Sequence, residues 1–373
     1  MTDNKVNKSD KSQTKKTLSK GGNNKKKGTG KKKFNVKILL ACVAAVVLLV
    51  IGIAVAYTIH LYSLMNIDTG ETTTLPSEEN IYETVENPED IAHLPTITID
   101  DYNKTEEEKK EARHVDGVYN ILLLGLDTTE GKKLTDTLMI ATLDTRSGEI
   151  KLTSVMRDIL VPIPGYSPNK LNVPYKLGGI ALLYQVFEES FEIKIDGYVA
   201  INYEALETVV DVLGGVPLYI KQEEADFLNT SNYISDEKSR NLLPNQTQTV
   251  NGSQFVGYCR QRWTTADADF GRTKRQRYAL NAVYEKFRNS GIDKILATME
   301  AVLPYVITDI KFNDMVSLAT NAVKTGLGDI QQLRIPTNTT HVEAQYKGMS
   351  VIDMDFAANT KILHEFIFGD YIE

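Results

Sequence analysis

The residues of this chain that could do chemistry are aspartates and arginines standing where apolar runs end. Asp127 closes VYNILLLGLD (118–127), and Asp136 follows a short polar loop at the head of the run TDTLMIATLD. If the two runs are neighbouring strands, both carboxylates enter one space, and two carboxylates with phosphate oxygens and water satisfy octahedral Mg2+. Spacing alone describes a turn aspartate and a cap more simply. Arg157 follows IKLTSVM, with Asp158 beside it and Lys170 in the next loop. In YCRQRW, Arg260 and Arg262 stand at i and i+2, which on a strand puts both on one face. Two guanidinium groups side by side repel unless solvated or bridged by an anion. In DFGRTKRQR, Gly271 precedes a predicted helix whose Arg272, Arg275 and Gln276 align at i, i+3 and i+4 near its N-terminus. Basic side chains there oppose the helix dipole and suit an anionic ligand. An anion site and a solvated basic face fit that pattern equally well. Lys274 and Arg277 fall on other faces and read as solvated.

Other chemistries lack their residues. There is no GxSxG, GxxxxGK[ST], HExxH or CxxC, and the five histidines are scattered without a metal-ligand pair. A zinc hydrolase and a Ser-His-Asp hydrolase are both improbable on that ground.

The elements that must position these groups are legible from pattern. VYNILLLGLD, TLMIATLDT and IKLTSVM are nearly continuous apolar runs of the kind a buried sheet needs. Residues 180–191, 203–215, 272–289 and 294–306 have helical spacing, and Gly214–Gly215 predicts a helix stop before the strand VPLYI. Strands and helices alternate, so residues 115–373 are expected to form one α/β domain with a mixed sheet flanked by helices on both sides.

The 373 residues carry a net charge of −7 and 42% hydrophobic residues, which excludes collagen-like and wholly disordered chains. The charge is unevenly spread. Residues 1–37 hold thirteen lysines against Asp3 and Asp10, residues 59–113 sum to −10, and the remainder to −8. Between Lys37 and His60 lie twenty residues, 38–57, without a charge, Pro, Asn or Gln, long enough for a bilayer core of roughly 30 Å. The run exceeds a signal-peptide core and lacks a small-x-small cleavage site, so an uncleaved anchor over 38–58 is expected. The lysine excess places residues 1–37 in the cytoplasm as a disordered tail and the rest of the chain outside. Attraction of that tail to anionic lipid explains the lysines more simply than nucleic acid does. Residues 59–114 read as an acidic extracellular linker whose LPTITI docks on the body. Cys42 falls in the apolar run and Cys259 is alone in the ectodomain, so no disulfide forms there.

Taken together, ILLLGLD, TDTLMIATLD, TSVMRDILVPIPG, NKLNVPYKLGG, IDGYVAINYEAL, VDVLGGV, NGSQFVGYCRQRW and DFGRTKRQR resemble the LytR-CpsA-Psr family of cell-wall glycopolymer ligases, over roughly residues 118–370. The resemblance implies a five- or six-stranded sheet enclosing a hydrophobic tunnel for a polyprenyl chain, with a charged mouth for its pyrophosphate. By motif position it makes Asp127 and Asp136 the acidic residues of a Mg2+ (or Mn2+) and pyrophosphate site. Arg157 becomes a catalytic arginine, and Lys170, Arg260, Arg262, Arg272, Arg275 and Gln276 become pyrophosphate ligands. The chain departs from the pattern at Leu134, where the family commonly has arginine, and at Met156, where proline is frequent; Lys132 or Lys133 is a candidate substitute for the missing charge.

The implied activity is phosphotransfer from a polyprenyl-pyrophosphate-linked glycopolymer to peptidoglycan, with Asp127 orienting or deprotonating the acceptor hydroxyl. Two alternatives stand beside it. One is a polyprenyl-pyrophosphate binder without transfer activity, or a pyrophosphatase, at the envelope, which Leu134 motivates. The other is a transcription regulator, which the topology disfavours because every folded residue lies across the membrane from DNA.

Overall fold

The computed structural model describes residues 36–70, 91–97, 111–127, 134–261, 268–325 and 329–370. Outside the description are the side chains of 36–48, 50, 127, 268–270, 323 and 325. The expectations for Arg262, Lys132 and Lys133 therefore lie outside the described residues, as does the side chain of Asp127.

In chain order the first elements are α1 (Val36–Ser63), β1 (Asn66–Ile67), β2 (Val118–Asp127), β3 (Leu134–Asp144), β4 (Glu149–Val155), β5 (Leu160–Ile163) and β6 (Tyr166–Lys170). Next come α2 (Pro174–Phe191), β7 (Gly197–Asn202), α3 (Tyr203–Val212), β8 (Val216–Ile220), α4 (Gln222–Thr230), β9 (Gln246–Val250) and α5 (Gly252–Arg260). The chain ends with α6 (Ala268–Arg288), α7 (Ile292–Val302), β10 (Ile307–Thr308), α8 (Phe312–Thr325), β11 (Ile330–Ile335), β12 (His341–Tyr346), β13 (Met349–Met354) and α9 (Phe356–Phe368).

Seven strands form one mixed sheet in the order β1-β10-β7-β2-β3-β4-β11. The two-residue strands β1 and β10 carry the count past five or six. β2 runs parallel to β7 and β4 parallel to β11, while β3 lies antiparallel between β2 and β4. The carboxyl ends of β2, β4, β7 and β11 and the start of β3 therefore share one edge, the place where sheets of this kind bind ligands.

The two faces of the sheet differ. Leu122, Leu124, Leu126, Leu138, Ile140, Val155 and Ile335 point to the first face and are buried with Leu183, Phe187 and Phe191 of α2 and Leu363 and Ile367 of α9. Truncating a side chain as enclosed as Leu124 costs about 2–5 kcal/mol. The second face is also apolar, but Ile121, Leu123, Ala141, Leu143, Val199 and Ile201 are only half-buried. A smaller core gathers Val210, Leu218, Phe255 and Ala279 around the two-stranded β8–β9 sheet. The helix stop at Gly214–Gly215 is as expected, with both residues at positive φ (77° and 84°). Gly215 also has no room for a Cβ, which would lie 2.5 Å from the Thr249 methyl carbon.

Two differences from the sequence reading have physical causes. YCRQ (258–261) is not a strand: α5 runs through Arg260, and Gln261 caps it in an extended conformation. The cause is a capping box, in which Asn251 accepts from the Gln254 amide and the Gln254 side chain accepts from Asn251 N–H. Parts of the acidic stretch are also built into the body. Asn66 N–H donates to Val306 O at 2.9 Å, giving β10 a paired edge; the docking of LPTITI is as expected, with Ile97 N–H donating to Gln345 O at 3.0 Å.

Helix α1 has 28 residues, and its described side chains begin at Leu49. Among the described residues no helix is long and apolar enough to cross a membrane.

Candidate functional site

At the shared strand edge, a bulge decides where Asp136 points. Leu126 pairs with Thr135 and Gly125 with Thr137, so Asp136 is the extra residue of β3 and is turned out of the ladder. Its Oδ1 accepts a short hydrogen bond from Arg157 Nη1, and its Oδ2 accepts from the Tyr203 hydroxyl at 3.0 Å. Arg157 Nε lies 3.4 Å from Asp158 Oδ2, and Lys170 Nζ lies 3.0 Å from Asp158 Oδ1. The result is one chain of ions, Asp136–Arg157–Asp158–Lys170, with two charges of each sign. Arg157, Asp158 and Lys170 are all buried. Buried ions are costly unless paired, and this alternation gives each of them a neighbour of opposite sign. The backbone fixes the segment too: Asn172 N–H donates to Arg157 O and Ile352 N–H to Asp158 O.

Tyr203 sits at the first position of α3 because Asn202 caps that helix, accepting from Ala205 N–H at 2.9 Å. Its ring also carries the Arg260 guanidinium, 4.7 Å above the centroid. That cation–π contact ties Arg260 to the ion chain through a single side chain. Sequence reading passed over Tyr203, whose only signal is its place after the strand-ending Asn202.

Helix α6 is arranged differently from expectation. It begins at Ala268, so Arg272, Arg275 and Gln276 stand in its second and third turns, beyond the reach of the N-terminal dipole. Arg275 is buried and faces protein: its Nη2 donates to Gln261 O at 2.6 Å, and its Nη1 lies 4.0 Å from Glu224 Oε1. Burial pushes the Glu224 carboxyl up and the Arg275 guanidinium down, so desolvation outweighs their attraction. Arg275 thus braces the backbone between Arg260 and Arg262. Arg272 is buried and Gln276 half-buried. Arg277 is half-buried, contrary to the expectation of a solvated side chain. Burial pushes the buried Cys259 thiol up to about 12, which rules it out as a nucleophile.

Among the described residues no three His, Cys, Asp or Glu side chains converge as a metal cluster. Mg2+ needs fewer, because one or two carboxylates with substrate phosphates suffice. Asp136, a carboxylate at the strand ends beside Arg157, is of the type that demand calls for. Asp127 ends β2 directly opposite Leu134, next to the bulge.

The LytR_cpsA_psr family model matches residues 93–365. Biofilm regulatory protein A of Streptococcus mutans is 30% identical over 217 residues, 52% of this chain and 50% of that protein. The chain thus spans half the length of that relative. The polyisoprenyl-teichoic acid–peptidoglycan teichoic acid transferase TagU of Enterococcus faecalis is 29% identical over 62% of this chain and 75% of its own length. The crystal structure of B. subtilis TagT shares the fold, with a TM-score of 0.53, 23% identity, and coverage of 71% of this chain and 97% of that one.

Proposed function

The chain belongs to the LytR_cpsA_psr family, and from that premise we propose that it is a phosphotransferase of the EC 2.7.8 type. It moves a glycopolymer from a polyprenyl-pyrophosphate carrier to peptidoglycan. The observation that carries the reading is the buried Asp136–Arg157–Asp158–Lys170 chain at the strand ends, reached from the side by Arg260 over Tyr203. An acceptor hydroxyl of peptidoglycan attacks the sugar-proximal phosphorus. Its oxygen bonds to phosphorus as the bond to the bridging oxygen breaks, leaving polyprenyl phosphate, and its proton passes to Asp127. Arg157, held by Asp136 and Asp158, faces the charge that grows on the leaving phosphate, and Arg260 and Arg262 share in stabilising it. Lys170, Arg272 and Gln276 complete the anion-binding wall. Asp127 and Asp136 would hold Mg2+ or Mn2+, which neutralises phosphate charge when bound.

The half-buried apolar second face, with Ile121, Leu123, Ala141 and Leu143, supports a course for the polyprenyl chain. Leu49, Ile51, Ile53, Val55 and Ile59 of α1 are each more than half exposed, which suits a helix solvated by lipid. Together with the lysine-rich tail they support a single-pass anchor in a cytoplasmic membrane carrying anionic lipids, with the catalytic domain outside.

The test is reconstitution of the full chain in vesicles with a polyprenyl-pyrophosphate-linked glycan, Mg2+ and peptidoglycan fragments. The expected result is polymer on peptidoglycan with stoichiometric release of polyprenyl monophosphate. Tight binding of the donor without transfer would replace the transferase with a carrier-binding protein, and release of free glycan phosphate would replace it with a pyrophosphatase.

A further inference from the structure

The end of helix α6 reaches the start of the edge strand β11. Its last residue, Arg288, pairs with Asp329 at 3.3 Å, just before that strand begins. Eleven residues back along the helix, Arg277 is close enough to Arg334 to feel its charge. Eleven helical residues and five strand residues both span about 16 Å, so helix and strand run antiparallel, and Arg277 comes abreast of Arg334. Arg334 is fixed from behind, its Nε donating to Pro336 O at 3.1 Å and its Nη2 to Asn338 Oδ1. The Nη1 of Arg277 is shut off from water and has no hydrogen-bond partner among the described residues. Burial first and the charge of Arg334 second push the Arg277 guanidinium down to about 10, and no described carboxylate offsets them.

A third donor stands beside the pair. Ser154 is opposite Arg334 in the parallel register of β4 and β11, so both side chains leave the same face of the sheet. Its hydroxyl is buried and has no partner among the described residues. Ser154 lies three residues before Arg157, and its face carries the buried Met139 and the half-buried Leu123. Two guanidinium groups close enough to repel, with a buried hydroxyl opposite one of them and no described carboxylate between them, form an arrangement suited to an anion.

We propose that Arg277, Arg334 and the Ser154 hydroxyl form a second anion subsite that takes a phosphate oxyanion, at the same strand ends as Arg157. The class of anion rests on the reading of the protein as a transferase of lipid-linked phosphoglycan; the subsite itself does not. The phosphate belongs either to the pyrophosphate of the lipid or to the polymer, and the two are separable with two probes.

Binding of geranylgeranyl pyrophosphate and of a lipid-free glycerol phosphate oligomer is measured on the full chain in detergent, for wild type, Arg277→Gln, Arg277→Lys and Ser154→Ala. Arg277→Gln is expected to weaken one probe by about tenfold or more, Arg277→Lys to recover part of that, and Ser154→Ala to cost about threefold. Loss confined to the first probe assigns the subsite to the lipid pyrophosphate, and loss confined to the second assigns it to the polymer. Without ligand, the thermal midpoint of Arg277→Gln is expected to equal or exceed that of wild type, since an uncompensated buried charge has been removed. Unchanged binding of both probes, or a lowered ligand-free midpoint, would overturn the subsite. Loss of binding in Arg157→Ala with none in Arg277→Gln sinks the subsite alone, whereas Arg277-dependent binding without any transfer sinks the transferase reading alone.

Discussion

Two arginine-bearing regions meet at this sheet edge, and they handle charge in opposite ways. Around Arg157 every buried ion has a partner of opposite sign: Asp136, Arg157, Asp158 and Lys170 alternate within 3.4 Å of one another. Along α6 the cations outrun the acids. Arg275 has Glu224 at 4.0 Å, and Arg277 has no described carboxylate, only Arg334. The difference teaches that a balanced chain can hold one arginine rigidly in place before any ligand arrives, whereas an unbalanced group is completed by what binds. The first region suits transition-state charge, which needs preorganised donors; the second suits a ground-state anion.

The largest effect is expected from breaking the balance. Asp136→Ala releases Arg157 and leaves it buried without its short partner, and transfer should fall by about 100- to 1000-fold; a loss below tenfold would show that Arg157 holds its place without it. Next is Glu224→Gln, which strips Arg275 of its only described counter-charge. Chemical denaturation should show a loss of about 3 kcal/mol, and an unchanged midpoint would mean that Gln261 O alone satisfies Arg275. The third prediction concerns pH. The folded-state pKa of Arg277 lies below its unfolded value, so the folded protein carries a penalty at neutral pH that fades as pH rises through about 10. The stability advantage of Arg277→Gln over wild type should therefore stay level from pH 8 to about 9 and shrink as pH rises through and above about 10, and a widening gap would contradict the assignment. The smallest effect is that of Tyr203→Phe, which removes one hydrogen bond to Asp136 and keeps the ring under Arg260. It should cost about 1 kcal/mol of transition-state stabilisation, or roughly fivefold in kcat/KM.

Much of this arrangement was legible in the chain before its structure. The runs ending at Asp127 and Val155 are strands because nearly continuous apolar residues serve a sheet with two apolar faces, and Gly214–Gly215 stops a helix as its type demands. Asp136 and Arg157 do meet, as the family resemblance implied. Arg260 was misassigned because the alternation in YCRQRW outweighed an Asn-x-x-Gln cap nine residues earlier, a local signal that was present. Tyr203 was marked only by its place after Asn202, and the inward turn of Arg275 and the burial of Arg277 carried no local signal. They depend on how α3 and α6 pack against the sheet, and a helical wheel cannot say which face of a basic helix meets another element.

The most direct measurement is single-turnover transfer by the full chain bearing Arg157→Ala, with donor binding determined on the same sample. The account predicts at least a 100-fold slower transfer step, with donor affinity reduced far less, since Arg157 is held for the charge that develops as the bond breaks. A variant that binds the donor as weakly as it transfers, or one that transfers at the wild-type rate, would contradict it.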